Sequence, residues 1–579
     1  MAQKNAKIAK ILIFTLYLVP FLALIWFIAT LGVNHLHKDQ WNLIKLFEKI
    51  YDGRATFSDF YAQHSEHRLL FPKFLFSSLA FATGWNVRYE LGLNFFFGSI
   101  TAISLCIISR TTAKLCASSN RLLFHSVNLS TCCLALSWVQ HQNWLWGFQV
   151  PWFFICLSLV LSALILYKIA LPTSGKLLVA AVLCTIASFS SAHGLFTWLA
   201  LTPSVAALSK ELKTKFYLLL AWLLLFLSCI GVYFYGYHNP NDQPSDNILT
   251  AIGFIQYFFV QIGASVLGQN LSLPVAITAG IITCLLFTTL TIYLLKGAEA
   301  NQFLIASPWF SIGLFSIIFA LANSYGRGEY GAGNALTVRY TTPSIFLAIA
   351  SLQLLPIALE RISQKSLRQK VSKAGVFIIA IFMTIHLNAY AFAFQDAKYG
   401  ENGIAIRKRQ ALCAELVQYI ETAAFPQCFQ DTDAHTSVVL KLHKTELRSP
   451  ITDISFIKNR PSLGSLSEWS SIPSSDASID TQILNGKKVT TATGITFLPA
   501  DQPYPRAILL SPLSADTFIG IFTLDKTNSS RLPLEVNWEV DLTDIDDLPL
   551  FKGSQQIEIY LYYPQTKQFI LSGLASTPS

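Results

Sequence analysis

The feature that most constrains this chain is a series of apolar runs, each about as long as a membrane is thick. The first, Ile11 to Leu31, follows three lysines and lacks the small-residue site at which signal peptides are cut. A helix of about 20 apolar residues crosses the hydrocarbon core of a bilayer. The chain is 53% hydrophobic and 13% charged, which excludes a disordered or nucleic-acid-binding protein. We therefore expect a multi-pass membrane protein with an uncleaved first anchor.

Eleven runs are predicted to cross the membrane, within a range of 11 to 13 crossings. They are 11–32, 91–109, 122–139, 149–168, 177–191, 195–208, 215–237, 275–296, 303–322, 341–358 and 374–394. Two more runs, 69–85 and 251–268, are short or interrupted by polar residues, and we interpret them as interfacial or re-entrant. Counting both as crossings would move the basic loop 110–121 to the outside, against the usual charge bias.

The charges predict an orientation. Residues 1–394 carry 26 Lys and Arg against 12 Asp and Glu, whereas residues 395–579 carry 16 against 21. Basic loops, of which the strongest runs from Arg361 to Lys373, are expected on the cytoplasmic side. The prediction is an inner or plasma membrane protein with a cytoplasmic N-terminus. Its C-terminus is then extracytoplasmic, and periplasmic if the cell is Gram-negative.

The chain is expected to divide near residue 394. Residues 1–394 form the transmembrane part, with a long first outer loop, 33–90. Residues 395–579 read as a soluble, extracytoplasmic α+β domain, with a helical linker followed by short β-rich runs typical of a β-sandwich. Cys413 and Cys428 lie in this domain, where they form either one disulfide or two free thiols.

Asp39 opens the polar part of the first outer loop. Aromatic and aliphatic residues then recur at helical spacing from Trp41 to Tyr51, which predicts a helix in the membrane interface. A carboxylate there could accept a proton from a hydroxyl group or bind a cation. An aspartate just before a helix is as often its N-cap, so the two interpretations stand about even.

A second polar run, Gln63 to Arg68, ends the same loop. Glu66 could orient His67, and the guanidinium of Arg68 could bind a phosphate through two hydrogen bonds. His64 lies in the same run. The alternative is a local ion pair at the membrane rim. The histidine spacing matches no helical zinc signature, so we expect no structural metal.

Other candidate residues fall in the remaining outer loops. The glycine-rich loop 323–340 carries Arg327, Glu329, Arg339 and Tyr340, and guanidinium groups suit a phosphate at headgroup level. Its alternative is a flexible hydrated loop. Trp146 is expected in an interfacial aromatic belt or stacked on a sugar. His193 lines the same cavity or satisfies backbone carbonyls at a tight turn.

Taken together, these segments resemble a type-C glycosyltransferase, the polytopic class that uses polyprenyl-phosphate-linked sugars. The resemblance covers the first span, the long outer loop with an early acid, the many spans and the extracytoplasmic domain. Asp39 occupies the position of the acid in that class's first outer loop. It is followed by Gln40 rather than by a second acid, which leaves a divalent cation open although no cofactor is predicted.

The resemblance implies inverting transfer of a sugar from a polyprenyl-phosphate carrier to a glycan, lipid or protein acceptor at the outer face. Asp39 would be the general base, with Glu66 and His67 also in the catalytic group. Substrate would be bound by the remaining candidates: His64, Arg68, Trp146, His193, Arg327, Glu329, Arg339 and Tyr340. Membrane lipid is an expected partner and nucleic acid is not. The alternatives are a transporter of lipid-linked glycans and a noncatalytic membrane scaffold.

Overall fold

The computed structural model describes most of the chain. The described residues are 2–115, 120–238, 251–296, 300–400, 403–416, 419, 445, 447, 455–457, 474–484, 487–498, 505–512, 518–524, 534–542, 556–565 and 568–576. Within them the first 400 residues are almost entirely helical, and β-strands dominate after residue 455. This confirms the predicted class, a polytopic helical protein with a β-rich C-terminal region.

Nineteen α-helices occur in the described part of the chain. They are α1 Ala2–Leu31, α2 Ile44–Tyr51, α3 Phe57–Tyr61, α4 Leu70–Thr83, α5 Arg88–Leu115, α6 Arg121–Ala135, α7 His141–Leu145, α8 Val150–Lys168, α9 Thr173–Ser188, α10 Phe196–Ala200, α11 Thr202–Ala206, α12 Leu212–Phe234, α13 Ala251–Leu267, α14 Leu273–Leu295, α15 Ala300–Arg327, α16 Thr341–Ser344, α17 Phe346–Glu360, α18 Lys365–Tyr399 and α19 Ile404–Glu415.

Nine helical stretches in the described residues are long and apolar enough to cross a membrane. They coincide with nine of the eleven predicted runs. The run 177–191 forms the 16-residue helix α9, and the run 195–208 is divided between α10 and α11, where Pro203 starts the second piece. Helices of 14 and 17 residues, α4 and α13, occupy the two runs predicted to be interfacial or re-entrant. The count of eleven therefore remains a prediction.

Two compact units make up the chain. The first comprises residues 1–32, 55–79 and 86–400. The second comprises residues 401–579 together with 33–54 and 80–85. Two short segments of the long first loop thus belong to the same unit as the C-terminal region, which the sequence did not indicate. Asp39 lies in the second unit, and Glu66 lies in the first.

Within the first unit, α13 and α14 form a tightly packed helical hairpin. A Cβ atom added to Gly263 would lie 1.9 Å from the carbonyl oxygen of Ala276, and one added to Gly280 would lie 2.0 Å from that of Phe259. Only glycine lets two helix backbones approach this closely, as in the small-residue contacts of membrane helices. The glycines fix both the spacing and the register of the pair.

In the second unit, helix α2 turns its apolar face to protein. Phe47 is fully buried and meets Trp85 edge-to-face, with ring centroids 4.7 Å apart, and Phe81 at 5.9 Å. The expected amphipathic helix is present, but its aromatic face packs on these rings instead of on lipid. The apolar periodicity could not distinguish these two environments because both bury the same stripe.

The C-terminal strands form one eight-stranded mixed sheet, and two short strands earlier in the chain form a separate hairpin. The strands are β1 Gln63–His64, β2 His67–Arg68, β3 Ser455–Ile457, β4 Ser474–Leu484, β5 Lys487–Leu498, β6 Ala507–Pro512, β7 Gly520–Thr523, β8 Leu534–Asp541, β9 Gln556–Tyr563 and β10 Gln568–Ser576. Their order in the sheet is β7-β6-β9-β10-β4-β5-β8, with β3 parallel to β10. A Cβ atom on Gly520 would lie 2.7 Å from Val540 Cγ1. The sheet therefore curls until its two end strands, β7 and β8, pack together.

Cys413, at the C-terminal end of α19, is disulfide-bonded. Among the described residues of the helical unit, seven cysteines are free thiols. Cys428, the partner considered from the sequence, lies outside the described residues.

Candidate functional site

The polar run that ends the first loop folds into a hairpin. Strand β1 pairs antiparallel with β2, and Ser65 and Glu66 form the two-residue turn. Ser65 has a φ of +52°, a left-handed conformation that costs a non-glycine residue on the order of 1 kcal/mol. The turn places Glu66 at the tip of the hairpin.

At the base of this hairpin, Arg68 is committed to the protein itself. Its side chain is 2% exposed, and all three guanidinium nitrogens donate to backbone carbonyls. The acceptors are Tyr233 at 2.6 Å, Tyr61 at 2.9 Å and Tyr235 at 2.7 Å. The prediction that Arg68 forks onto a phosphate does not fit this geometry. Arg68 anchors the hairpin to the end of α12.

Glu66 faces Arg327, at the C-terminal end of α15. Arg327 Nη2 lies 3.8 Å from Glu66 Oε1, and Ser65 Oγ donates to Glu66 Oε2 at 2.7 Å. Burial alone would raise the pKa of Glu66. The hydrogen bonds from Ser65 and the backbone, together with positive charge that includes Arg327, outweigh burial and hold that pKa below its usual value. Glu66 is therefore an anion that orients Arg327.

Two histidines lie beside this ion pair. The rings of His67 and His193 are 5.5 Å apart, and His193 Nε2 lies 3.0 Å from Asn323 Oδ1, so that Nε2–H donates. Burial lowers the pKa of His67 to about 4 and that of His193 to about 3, with smaller contributions from neighbouring charges. Both rings are therefore neutral near pH 7. So low a pKa makes His67 a weak base, which disfavours the predicted catalytic role for it.

A hydrogen-bonded relay extends from His193 into three helices. Asn323 Nδ2 donates to Gln261 Oε1 at 3.3 Å, and Gln261 Nε2 donates to Ser344 Oγ at 2.9 Å. The relay joins α15, α13 and α16. Neither Asn323 nor Gln261 was among the predicted site residues. The available signal was Gln261 itself, a polar side chain inside an apolar run, which is often functional in membrane proteins.

Next to the relay, several buried donors have no protein partner. The hydroxyl groups of Tyr257 and Tyr340 and the Nε of Arg339 are enclosed and make no hydrogen bond within the described chain. Tyr257 lies within electrostatic range of Tyr340, Arg327 and Arg339. We call these four residues the Tyr–Arg wall. An unsatisfied buried polar group costs about 1–3 kcal/mol, so such a concentration is typical of a ligand site.

Three other candidates take peripheral positions. His64 packs its ring against Phe148, with centroids 5.3 Å apart. Trp146 is buried and stacks toward the same phenylalanine, so it forms neither a lipid-facing belt nor an open sugar platform. Glu329 lies in the 3₁₀ turn Gly328–Tyr330 and is half-buried.

Asp39 belongs to the second unit and is not a helix cap. It lies one residue inside the 3₁₀ helix Lys38–Leu43, and the residue that precedes this helix is His37. Lys38 has a φ of +46°, another strained conformation, immediately before the acid. Asp39 is partly exposed, and no hydrogen bond or ion pair links it to a described residue. A carboxylate in this state is available to a substrate.

A buried acid that the sequence did not single out is Glu90, in the first turn of α5. It packs so closely on Gly147 that a Cβ atom there would lie 2.0 Å from Glu90 Oε2. Gly147 therefore has to be a glycine. Among the described residues, no group of three or more His, Cys, Asp or Glu side chains is placed to hold a metal ion.

Comparison with known proteins gives little beyond this geometry. No protein-family model matches the chain, and no curated protein sequence matches it. A search of solved structures finds the crystal structure of ArnT from Cupriavidus metallidurans in the apo state. It is 12% identical, the alignment covers 77% of this chain and 76% of that chain, and the TM-score is 0.38. The function has to be inferred from the residues of the chain itself.

Proposed function

We propose that the chain is an integral membrane glycosyltransferase. It transfers a sugar from a polyprenyl-phosphate carrier to an extracytoplasmic glycan, lipid or protein acceptor, with inversion at the sugar carbon. The observation that carries the proposal is the Tyr–Arg wall. In it the Tyr257 hydroxyl interacts electrostatically with Tyr340, Arg327 and Arg339, and three buried donors have no acceptor in the described chain.

An oxygen-rich anion best satisfies these groups. Arg327 has Glu66 as its one ion-pair partner in the described chain, at the long distance of 3.8 Å, and Arg339 keeps a buried Nε without an acceptor. Arginine forks match phosphate oxygens, and such charge-assisted hydrogen bonds are about twice as strong as neutral ones. The two neutral histidines add no positive charge, so the arginines supply the attraction for a phosphate.

A phosphate bound there becomes a better leaving group. When the bond between the sugar carbon and the phosphate oxygen breaks, negative charge grows on that oxygen. Arg327 and Arg339 stabilise this charge more strongly in the transition state than in the bound substrate, which lowers the barrier. Polyprenyl phosphate is then the product released into the membrane.

Asp39 is assigned as the general base on separate grounds. Its carboxylate is partly exposed, has no partner among the described residues and follows a strained residue. In the reaction it takes the proton of the acceptor hydroxyl as that oxygen bonds to the sugar carbon. Direct attack of the acceptor oxygen on the sugar carbon, with Asp39 as the base, is a single displacement and inverts that carbon.

The disulfide at Cys413 supports an extracytoplasmic C-terminal unit. Disulfides form and persist in oxidising compartments and are rare in the cytosol. Asp39 belongs to the same compact unit as Cys413, which supports placing the acceptor reaction on the outer side.

The test is a transfer assay with the full chain in liposomes. Polyprenyl-phosphate sugars with different sugar groups are supplied together with glycan, lipid and protein acceptors that carry a free hydroxyl group. Release of free polyprenyl phosphate and gain of the sugar by an acceptor are followed by mass spectrometry. We expect Asp39→Asn to lower turnover by about 10²- to 10⁴-fold, the usual contribution of a general base. Asp39→Glu should retain part of the activity.

Asp52→Asn is the matched control. Asp52 is an acid of the same unit, and it forms an ion pair with the exposed Arg54. It should leave turnover unchanged. Full turnover in Asp39→Asn would remove the assigned base. Movement of the carrier across the membrane by the wild-type protein, with no cleavage of any carrier sugar, would instead identify a transporter.

A further inference from the structure

A cavity separate from the Tyr–Arg wall lies in the first unit, at the loop end of the helical hairpin α13–α14. Its volume is about 560 Å³, within the usual range of small-molecule sites. The end of α13, the following loop, the start of α14 and the last third of α18 enclose it, and His141 closes one side. Apolar side chains supply one wall: Leu267, Leu271, Val275, Ile385 and Phe392.

The polar end of this cavity is built around a His–Asp pair. His141 is almost fully buried, and its Nε2 lies 2.7 Å from Asp396 Oδ2. The other ring nitrogen of His141, Nδ1, is enclosed and has no hydrogen-bond partner in the described chain. Asp396 keeps 53% of its side chain exposed, so one carboxylate is held in place by the ring and still open to a ligand.

The remaining polar lining is made of carboxamides. They are Gln269, Asn270, Asn388 and Gln395. Carboxamides both donate and accept hydrogen bonds, and none of the described residues that line the cavity is a lysine or an arginine. Asp396 is thus the one carboxylate among the described lining residues, and the site favours a positively charged group that donates several hydrogen bonds. A primary ammonium meets this requirement.

The apolar wall indicates that the rest of the ligand is hydrocarbon. Val275, Ile385 and Phe392 are each about half exposed. They belong to helices long and apolar enough to cross a membrane. Burying such surface stabilises a bound hydrocarbon chain because it removes apolar area from water. A lipid beside these helices can reach the wall without leaving the bilayer.

We propose that this cavity binds one membrane lipid whose headgroup carries a primary ammonium. The ammonium lies on Asp396, the amide groups of Asn270, Asn388 and Gln395 donate to the headgroup oxygens, and one hydrocarbon chain follows the apolar wall. Gln269 is not counted among these donors because its Nε2 donates to Val139 O and Thr341 Oγ1. The site does not depend on the proposed transfer reaction, and its occupant is neither the sugar donor nor the acceptor.

The test uses the full chain in phosphatidylcholine bilayer discs that contain either phosphatidylethanolamine or phosphatidylglycerol. Native mass spectrometry counts the lipids that stay bound after release from the disc. We expect one retained phosphatidylethanolamine in preference to either other lipid, because only its headgroup donates hydrogen bonds from an ammonium. Asp396→Asn should weaken this retention about tenfold or more, as loss of a charge-assisted hydrogen bond does.

Two further variants keep the test decisive. Ile385→Trp fills the apolar wall and should abolish retention while the Asp396 carboxylate is intact. Glu211→Gln removes an exposed acid in the loop before α12 and should change nothing. Equal retention of the three lipids, or full retention of phosphatidylethanolamine in both cavity variants, overturns the proposal.

Discussion

Arg68 and Arg327 show two ways of holding an arginine beside the same hairpin. Arg68 is buried and gives all three nitrogens to carbonyls of residues 61, 233 and 235. Arg327 is partly exposed, and it forms an ion pair with Glu66, with 3.8 Å between Arg327 Nη2 and Glu66 Oε1. A guanidinium whose donors are all used stabilises the fold, whereas one whose donors remain open is available to a ligand. The difference separates an anchor from a candidate binding residue.

The largest effect is expected when the anchor is removed. Arg68→Ala leaves three backbone carbonyls without their donor, of which that of Tyr233 is buried, and removes a buried side chain. We therefore expect a loss of more than about 3 kcal/mol in unfolding free energy. Arg68→Lys should recover only part, because one ammonium cannot reach three separated carbonyls. Thermal unfolding in detergent measures this. Arg54→Ala, an exposed arginine paired with Asp52, is the control and should leave the unfolding temperature unchanged.

The complementary change replaces Arg327, whose guanidinium donors remain available to a ligand. Arg327→Gln should keep the unfolding temperature close to that of the wild type and lower carrier turnover about 10²-fold, because it removes charge stabilisation at the leaving phosphate. Arg327→Lys should lie between. If Arg327→Gln unfolds the protein as Arg68→Ala does, then the distinction between anchor and binding residue is wrong.

Acidification tests His67 and His193, the two histidines beside the Glu66–Arg327 ion pair. The pKa values of His67 and His193 are lowered to about 4 and about 3, below the value of about 6.5 for an unfolded chain. Their contribution to stability is fully present above pH 6.5 and is lost as the pH falls toward 4, on the order of a few kcal/mol. Thermal unfolding between pH 7.5 and about 4 measures it.

His67→Gln keeps a polar group of similar reach and should reduce this acid sensitivity. Glu66 also has a lowered pKa, so its stabilisation fades at still lower pH, through its folded pKa. An unchanged pH profile in His67→Gln would contradict the assignment of a neutral, buried ring.

The smallest effect concerns two glycines on either side of Arg327, Gly326 before it and Gly331 after it. A Cβ atom on Gly326 meets nothing within 4 Å, so Gly326→Ala in α15 should stabilise the helix by up to about 1 kcal/mol. Gly331 has a φ of +86°, and Gly331→Ala should destabilise by a similar amount. If turnover falls in Gly326→Ala, then the end of α15 has to flex around Arg327 during the reaction.

The sequence was sufficient for the features that hydropathy and charge determine. The apolar runs, the polar loops between them and the β-rich tail could be predicted because each reflects the environment of a contiguous segment. Nine of the eleven predicted runs became long apolar helices. The two that did not, 177–191 and 195–208, ended early at a serine-rich turn or broke at Pro203.

The partners of the site residues could not be predicted in the same way. Arg68 lies two residues from Glu66, whereas Arg327 lies 261 positions away, yet it is Arg327 that pairs with Glu66. Arg68 instead binds backbone carbonyls, which leave no signature in a sequence. Tyr257 was missed because a tyrosine in an apolar run looks like packing until its hydroxyl is found without a partner.

The glycine contact between α13 and α14 has a mechanical consequence. Gly263 and Gly280 leave no space for either helix to slide or rotate against the other. The two helices of the hairpin therefore move together as one rigid body. Helix α13 carries both Tyr257 of the Tyr–Arg wall and Leu267 of the lipid cavity, and α14 carries Val275 of that cavity. One rigid pair of helices therefore supports residues of both sites.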